Sequence, residues 1–143
     1  LGPFAVMGTL WWTSSRSLGG GESSNLLSWL HNGAHVIAYG GLAGAWLTTF
    51  VNRTDGVLRL AARHIAVALL LTVAYGIVDE LHQSYVPGRD CSAVDVVTDA
   101  IGASIAAVLV HWALRREPAM PRSLPWLILL AAANVSLATW GPW

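Results

Sequence analysis

Four runs of roughly 20 mainly apolar residues, at about 33 to 51, 65 to 86, 93 to 114 and 124 to 141, are separated by short polar connections. A helix rises about 1.5 Å per residue, so each run is long enough to cross a hydrocarbon core of about 30 Å. Lipid offers no partners to the backbone, which leaves helices or a closed barrel as spanning structures. A barrel needs apolar and polar residues in alternation, and no such period-two pattern is present. The composition agrees: 55% of residues are hydrophobic and 11% charged, against about 25% charged in ordinary globular chains. Trp126, Trp140 and Trp143 flank the last run, where indole rings suit the membrane interface. The expected fold is an all-α integral membrane helical bundle, formed by residues 1–143 as a single domain.

The segment from Leu1 to Trp12 is apolar but extends only about 18 Å at helical rise. It reads as the outer end of a truncated first helix, which joins four full transmembrane helices. A cleaved signal peptide is the alternative, although no basic region precedes the segment and no clear cleavage site follows. Thr13 to Asn32 reads as a loop rich in Ser and Gly, with a short surface helix from Glu22 to His31 through Leu26, Leu27, Trp29 and Leu30.

Charge placement orients the chain. Arg53, Arg59 and Arg63 lie in the 52–64 connection and Arg115, Arg116 and Arg122 in the 115–123 connection, whereas the alternate connections hold Arg16 and Arg89. The positive-inside rule makes loops 52–64 and 115–123 cytoplasmic and loops 13–32 and 87–92 extracytoplasmic. The formal charge is zero and all eight basic residues are arginine, so no basic stripe points to nucleic acid. The single cysteine, Cys91, excludes an intrachain disulfide and a cysteine-rich metal site. No cofactor and no resident metal are expected.

Polar residues within these runs are the candidate site. His31, His35 and Tyr39 recur every four residues and share one helical face; His35 and Tyr39 open their span, where a polar group at membrane depth is costly and usually faces the bundle interior. Asp79, Glu80 and Gln83 end the next helix before Pro87-Gly88-Arg89. Acidic groups in a last turn oppose the helix macrodipole, so a stability role alone does not account for them. Arg89 is the guanidinium nearest in sequence, and a bidentate contact with the carboxylates is expected. Ser92-Ala93-Val94-Asp95 has the S-x-x-D form of a helix-capping sequence. Asp99, one turn deeper, wants a partner of its own. Gly40 and Gly44, and Gly102 and Ala106 with Ala103 and Ala107, have the small-residue spacing that lets membrane helices approach closely.

His35 and Tyr39, Asp79-Glu80-x-x-Gln83, Pro87-Gly88-Arg89, Ser92, Asp95 and Gly102, in this order, resemble the VanZ-like family. The resemblance is strongest over residues 12 to 110, begins with Trp12-Thr13-Ser14-Ser15 as the end of the family's first helix, and leaves the last helix, 124–141, outside it. Where relatives commonly carry Asn, this chain has Asp99. The resemblance implies a bacterial plasma membrane protein with a link to resistance to the glycopeptide antibiotic teicoplanin, and it supplies no reaction.

Three functions compete. One is a non-enzymatic binding protein whose outer-face polar site of His35, Tyr39, Asp79, Glu80, Gln83, Arg89, Asp95 and Asp99 engages a lipid-linked cell envelope component or a glycopeptide at the bilayer surface. Another is a membrane-embedded enzyme acting on a lipid-linked envelope substrate, with His35 or Glu80 as general base and Arg89 clamping a phosphate. A metal held by His35, Asp79, Glu80 and His82 belongs to that reading, but adjacent Asp79 and Glu80 diverge by about 100° on a helix. The third is a small proton-coupled carrier with a relay through Asp99, Asp95 and Glu80.

Overall fold

The computed structural model describes residues 1–16, 24–54, 57–87, 89, 91–116 and 118–140. Five helices dominate: α1 (Gly2–Ser14), α2 (Asn25–Phe50), α3 (Ala62–Gln83), α4 (Ala93–Arg115) and α5 (Ser123–Trp140). Between α2 and α3 two short strands, β1 (Asn52–Thr54) and β2 (Val57–Arg59), pair antiparallel with Asn52 opposite Arg59 and Thr54 opposite Val57. The expected all-helical chain thus carries one small hairpin. Its signal was Asp55-Gly56, a dipeptide common between hairpin strands.

The helix bounds correct several expectations. α2 starts at Asn25, where Ser24 is the N-cap and its side chain accepts from the Leu27 N–H. The surface helix expected from Glu22 to His31 is therefore not separate from Asn25 onward; Glu22 and Ser23 lie outside the described residues. Polar ties to α5 carry the helix through Asn32-Gly33: Trp29 Nε1 donates to Ser136 Oγ at 3.4 Å and Asn32 Nδ2 to Thr139 Oγ1 at 3.1 Å. At the other boundary α3 ends at Gln83 rather than near Val86, with residues 84–87 in turns. Among the described residues three helices, α3, α4 and α5, are long and apolar enough to cross a membrane, where four were expected. α2 has the length, but Gly33, Gly40, Gly41 and Gly44 together with His35, Tyr39, Thr48 and Thr49 dilute its apolar content.

Burial departs from that of a protein that folds in water, with acids inside beside the apolar core and large apolar side chains outside. Asp79, Glu80, Gln83, Thr72, Thr98 and Asp99 are buried, whereas Leu70, Ile77, Leu81, Val97, Leu129 and Trp126 stand exposed. Exposed Leu and Ile in such numbers are a cost in water and none in hydrocarbon, while the acids need the protein around them. The multi-pass membrane character read from the sequence is thus also written in the packing.

α4 is the central helix, with α2, α3 and α5 all packed on it and α2 most extensively. The contact is close because a Cβ on Gly40 would lie 3.1 Å from the Gly102 carbonyl oxygen, and one on Gly102 would collide with the backbone of Val36. Gly44 meets nothing within 4 Å, so of the expected glycine pair in α2 only Gly40 serves this approach. α5 is held to α4 by Asn134, whose Nδ2 donates to Thr98 Oγ1 at 2.6 Å and to the Val94 carbonyl at 3.2 Å. Where lipid removes the hydrophobic drive between helices, small residues and side-chain hydrogen bonds take its place. Two apolar clusters complete the core. Tyr39, Leu42 and Tyr75 gather with Met7 and Leu10 of α1, while Leu47, Ala68 and Ala107 lie towards the hairpin end.

Gly102→Ala should lower thermal stability of the detergent-purified protein by about 1 to 3 kcal/mol, the range for overpacking a close contact. Gly44→Ala should leave the melting temperature unchanged or slightly raised, and equal effects of the two would contradict the close approach at Gly102.

Candidate functional site

The ends of α1, α3 and α5 and the beginnings of α2 and α4 meet at one end of the bundle, since Ser14 touches Asp79, Asn32 touches Thr139 and Glu80 touches Ser92. Each of these segments delivers a polar side chain. Asp79 is the hub. Its Oδ2 accepts from Ser14 Oγ at 2.8 Å, Gln83 Nε2 at 3.0 Å and Tyr39 Oη at 3.1 Å. Donors from three helices thus converge on one carboxylate oxygen, while the buried Oδ1 has no hydrogen-bond partner among the described residues.

Gln83 explains the D-E-x-x-Q spacing. Residues three and four apart share a helix face, and the Gln83 amide donates to Asp79 and, at 3.4 Å, to Glu80 Oε1. Its carbonyl oxygen accepts from Arg89 Nε at 3.2 Å and Nη2 at 2.6 Å. The guanidinium fork expected on a carboxylate is therefore on an amide. One amide relays between the cation and both acids, accepting from Arg89 at its oxygen and donating to Asp79 and Glu80 from its nitrogen.

Glu80 reaches the start of α4, where its Oε2 accepts from the Ser92 N–H at 2.8 Å. Ser92 is the N-cap, and its Oγ accepts from the Asp95 N–H at 3.4 Å. The capping read from S-x-x-D is present in that half. In a full capping box the acid three residues on would satisfy the cap residue's own N–H; here Glu80 of α3 does so and joins two helices. Asp95, half-buried, contributes its N–H to this cap.

Asp99 finds His35. His35 Nδ1 lies 3.0 Å from Asp99 Oδ1, and the ring stacks on Tyr39 at 5.9 Å between centroids, nearly coplanar at 7°. Gly76 makes the space, since a Cβ there would stand 2.7 Å from Asp99 Oδ2. That oxygen, also buried, has no hydrogen-bond partner among the described residues. His82 lies apart from this group, stacked on Trp11 at 3.8 Å and 3.0 Å from Ser15 Oγ. Among the described residues no three of His, Cys, Asp and Glu gather as metal ligands. Of the acids of the expected proton path, Glu80 accepts from the Ser92 N–H and Asp99 lies against His35.

A cavity of about 330 Å³ opens beside these groups. His31, His35, Tyr39, Asp79 and Arg89 line it with Ser14, Thr13, Leu10, Ala34 and Ala38. Of the sequence-derived set, His35, Tyr39, Asp79 and Arg89 line the cavity, Gln83 and Asp99 bond to lining residues, and Glu80 and Asp95 meet Ser92 at the start of α4. Ser14 and Gly76 escaped sequence reasoning. The signal for Ser14 was Trp12-Thr13-Ser14-Ser15 at the end of the first helix, a hydroxyl-rich stretch with no partner visible until α1 lay against α3. Nothing in the sequence marked Gly76.

Glu80→Ala should strip the Ser92 N–H of its acceptor, speed hydrogen exchange at that amide and cost about 1 to 3 kcal/mol of stability. The Ser92 cap on Asp95 should survive. Unchanged exchange at Ser92 would show that Glu80 does not hold the start of α4.

Comparison with known proteins adds one match: the family model described as VanZ/LLP1 aligns with residues 1–114, from α1 to the end of α4, and leaves α5 outside. No curated protein and no solved structure matches the chain.

Proposed function

The chain belongs to the VanZ/LLP1 family over residues 1–114, and from that premise we propose that its polar cavity binds a lipid-linked component of the cell envelope at the outer face of a bacterial plasma membrane. The orientation follows from the arginines, six of which lie in the connections at the opposite end of the bundle. On this reading α2 joins α3, α4 and α5 as a membrane-crossing helix. The observation that carries the proposal is Asp79, a buried carboxylate with one oxygen held by three donors and the other without a partner among the described residues, in a cavity shared with Arg89 and His35.

Such a cavity complements a ligand that is both donor and anion. The unpartnered Asp79 oxygen takes a hydroxyl or an ammonium group. Arg89, aimed by two bonds to Gln83, offers its remaining N–H groups to a phosphate. The volume suits a head group, with the acyl or isoprenyl chain left in the bilayer. Teicoplanin carries a lipid tail of its own and acts at this surface, so a site here would alter either the antibiotic's access or the precursor it meets.

A second reading, catalysis on the same lipid-linked substrate, draws on the His35–Asp99 pair. A carboxylate on Nδ1 orients an imidazole as a general base, and His35 lines the cavity. In that case His35 takes a proton from a water that attacks a phosphoryl or acyl centre held by Arg89, the bond from that centre to the leaving oxygen breaks, and the proton on His35 passes to the departing oxygen.

Binding of an isoprenyl phosphate to the detergent-purified chain separates these readings. Arg89→Ala should weaken binding by about tenfold to a hundredfold, the worth of a charge-assisted hydrogen bond. In a host where the wild type shifts teicoplanin susceptibility, the same variant at equal expression should abolish the shift. Wild-type affinity in Arg89→Ala would reject the binding site, whereas substrate turnover that vanishes in Asp99→Asn with binding retained would favour catalysis.

A further inference from the structure

Asp79 lines the site cavity and is 1% exposed, yet the three groups that donate to it, from Ser14, Tyr39 and Gln83, are all neutral. Its Oδ1 has no hydrogen-bond partner among the described residues. The cations near it are engaged elsewhere. Arg89 bonds to the Gln83 carbonyl oxygen, Arg16 lies over the Trp12 ring at 3.6 Å, and His35 lies against Asp99. His31 stands edge-on to His35, and His82 meets Ser15. The other six arginines belong to the connections at the opposite end. All eight arginines are among the described residues, the chain has no lysine, and the residues outside the described set include no histidine. No side chain outside that set can therefore bring Asp79 a cation.

We propose that the lipid-linked component taken by this cavity carries a primary amine beside its phosphate, with the ammonium on Asp79 Oδ1 and the phosphate on Arg89. The assignment rests on the binding reading above and narrows the ligand class. The walls then present one negative and one positive group to a head group that has one of each, and no net charge is left at membrane depth, where an unbalanced charge is costly. A hydroxyl would give Oδ1 a hydrogen bond but leave the carboxylate's charge uncompensated. An ammonium supplies charge and donor together, and charge-assisted bonds are roughly twice as strong as neutral ones.

A primary amine also suits the cavity better than a quaternary one. A trimethylammonium group has no N–H for Oδ1, and such groups are recognised over open aromatic faces. Tyr39, the phenol ring of the lining, is buried with His35 stacked on it. Leu10 of α1 and Ala34 and Ala38 of α2 form the apolar part of the lining. Ala34 is exposed, which gives an isoprenyl or acyl chain an apolar path from the head group out along α2.

Three probes that share a farnesyl chain test this on the full chain in neutral detergent: the phosphoethanolamine, its hydroxyethyl phosphate counterpart and the phosphocholine. Titration calorimetry on the wild type should find the phosphoethanolamine bound about tenfold more tightly than either of the others, the worth of one charge-assisted hydrogen bond. That ranking needs no variant to fold. In Asp79→Asn the three affinities should converge, whereas Arg89→Ala should weaken all three and keep their order. Equal wild-type affinity for the amine probe and either of the others, or a ranking that survives in Asp79→Asn, would overturn the amine assignment; the phosphate site would still stand if Arg89→Ala weakened binding. Failure of all three probes to bind would overturn the binding reading and this assignment together. Displacement of the amine probe by millimolar free phosphoethanolamine would assign the cavity to a soluble head group and overturn the lipid-linked ligand.

Discussion

The convergence of Ser14, Tyr39 and Gln83 on one oxygen of Asp79 is the interaction on which this end of the molecule depends. A carboxylate inside a membrane helix costs roughly 2.5 to 3.5 kcal/mol on insertion scales. Donors from three helices offset that cost only if α1, α2 and α3 are all in place. The acid is thus a condition on the packing of the bundle. Partial satisfaction is what makes it functionally interesting: Oδ2 is saturated and Oδ1 is not.

The second constraint is closeness. α4 can lie between α2, α3 and α5 because Gly102 meets the backbone of Val36 and Gly76 admits the carboxylate of Asp99. A side chain at either position would push helices apart or expel the acid, and the His35–Asp99 pair would lose its 3.0 Å contact. Small residues and buried acids are therefore one design. The glycines set the approach that lets the acids find donors.

Several of these pairings were hidden from linear reasoning for a common reason. Arg89 was expected on a carboxylate, yet it forks onto Gln83, which then reaches both Asp79 and Glu80. Spacing along a helix places Gln83 beside both acids but says nothing of how far Arg89, past the helix end, can reach. Glu80 was a residue without a structural account until the start of α4 lay beside it and presented the Ser92 N–H. The merging of the expected surface helix into α2 likewise depends on contacts with α5, over a hundred residues away in the chain.

By itself the sequence determined the class of fold, the approximate extent of the long helices, the polar residues that face inward and the family. Each follows from local composition or a short motif: apolar length, a cap at Ser92, acids where a helix should not carry them. The tertiary structure alone decided which donor meets which acid, that Gly40 rather than Gly44 makes the contact with α4, that His35 pairs with Asp99, and that Ser14 and Gly76 belong with the site. The physical reason is that a buried charge states only that it needs a partner. Which partner it gets is set by helix crossings, and those are determined by residues far apart in the chain.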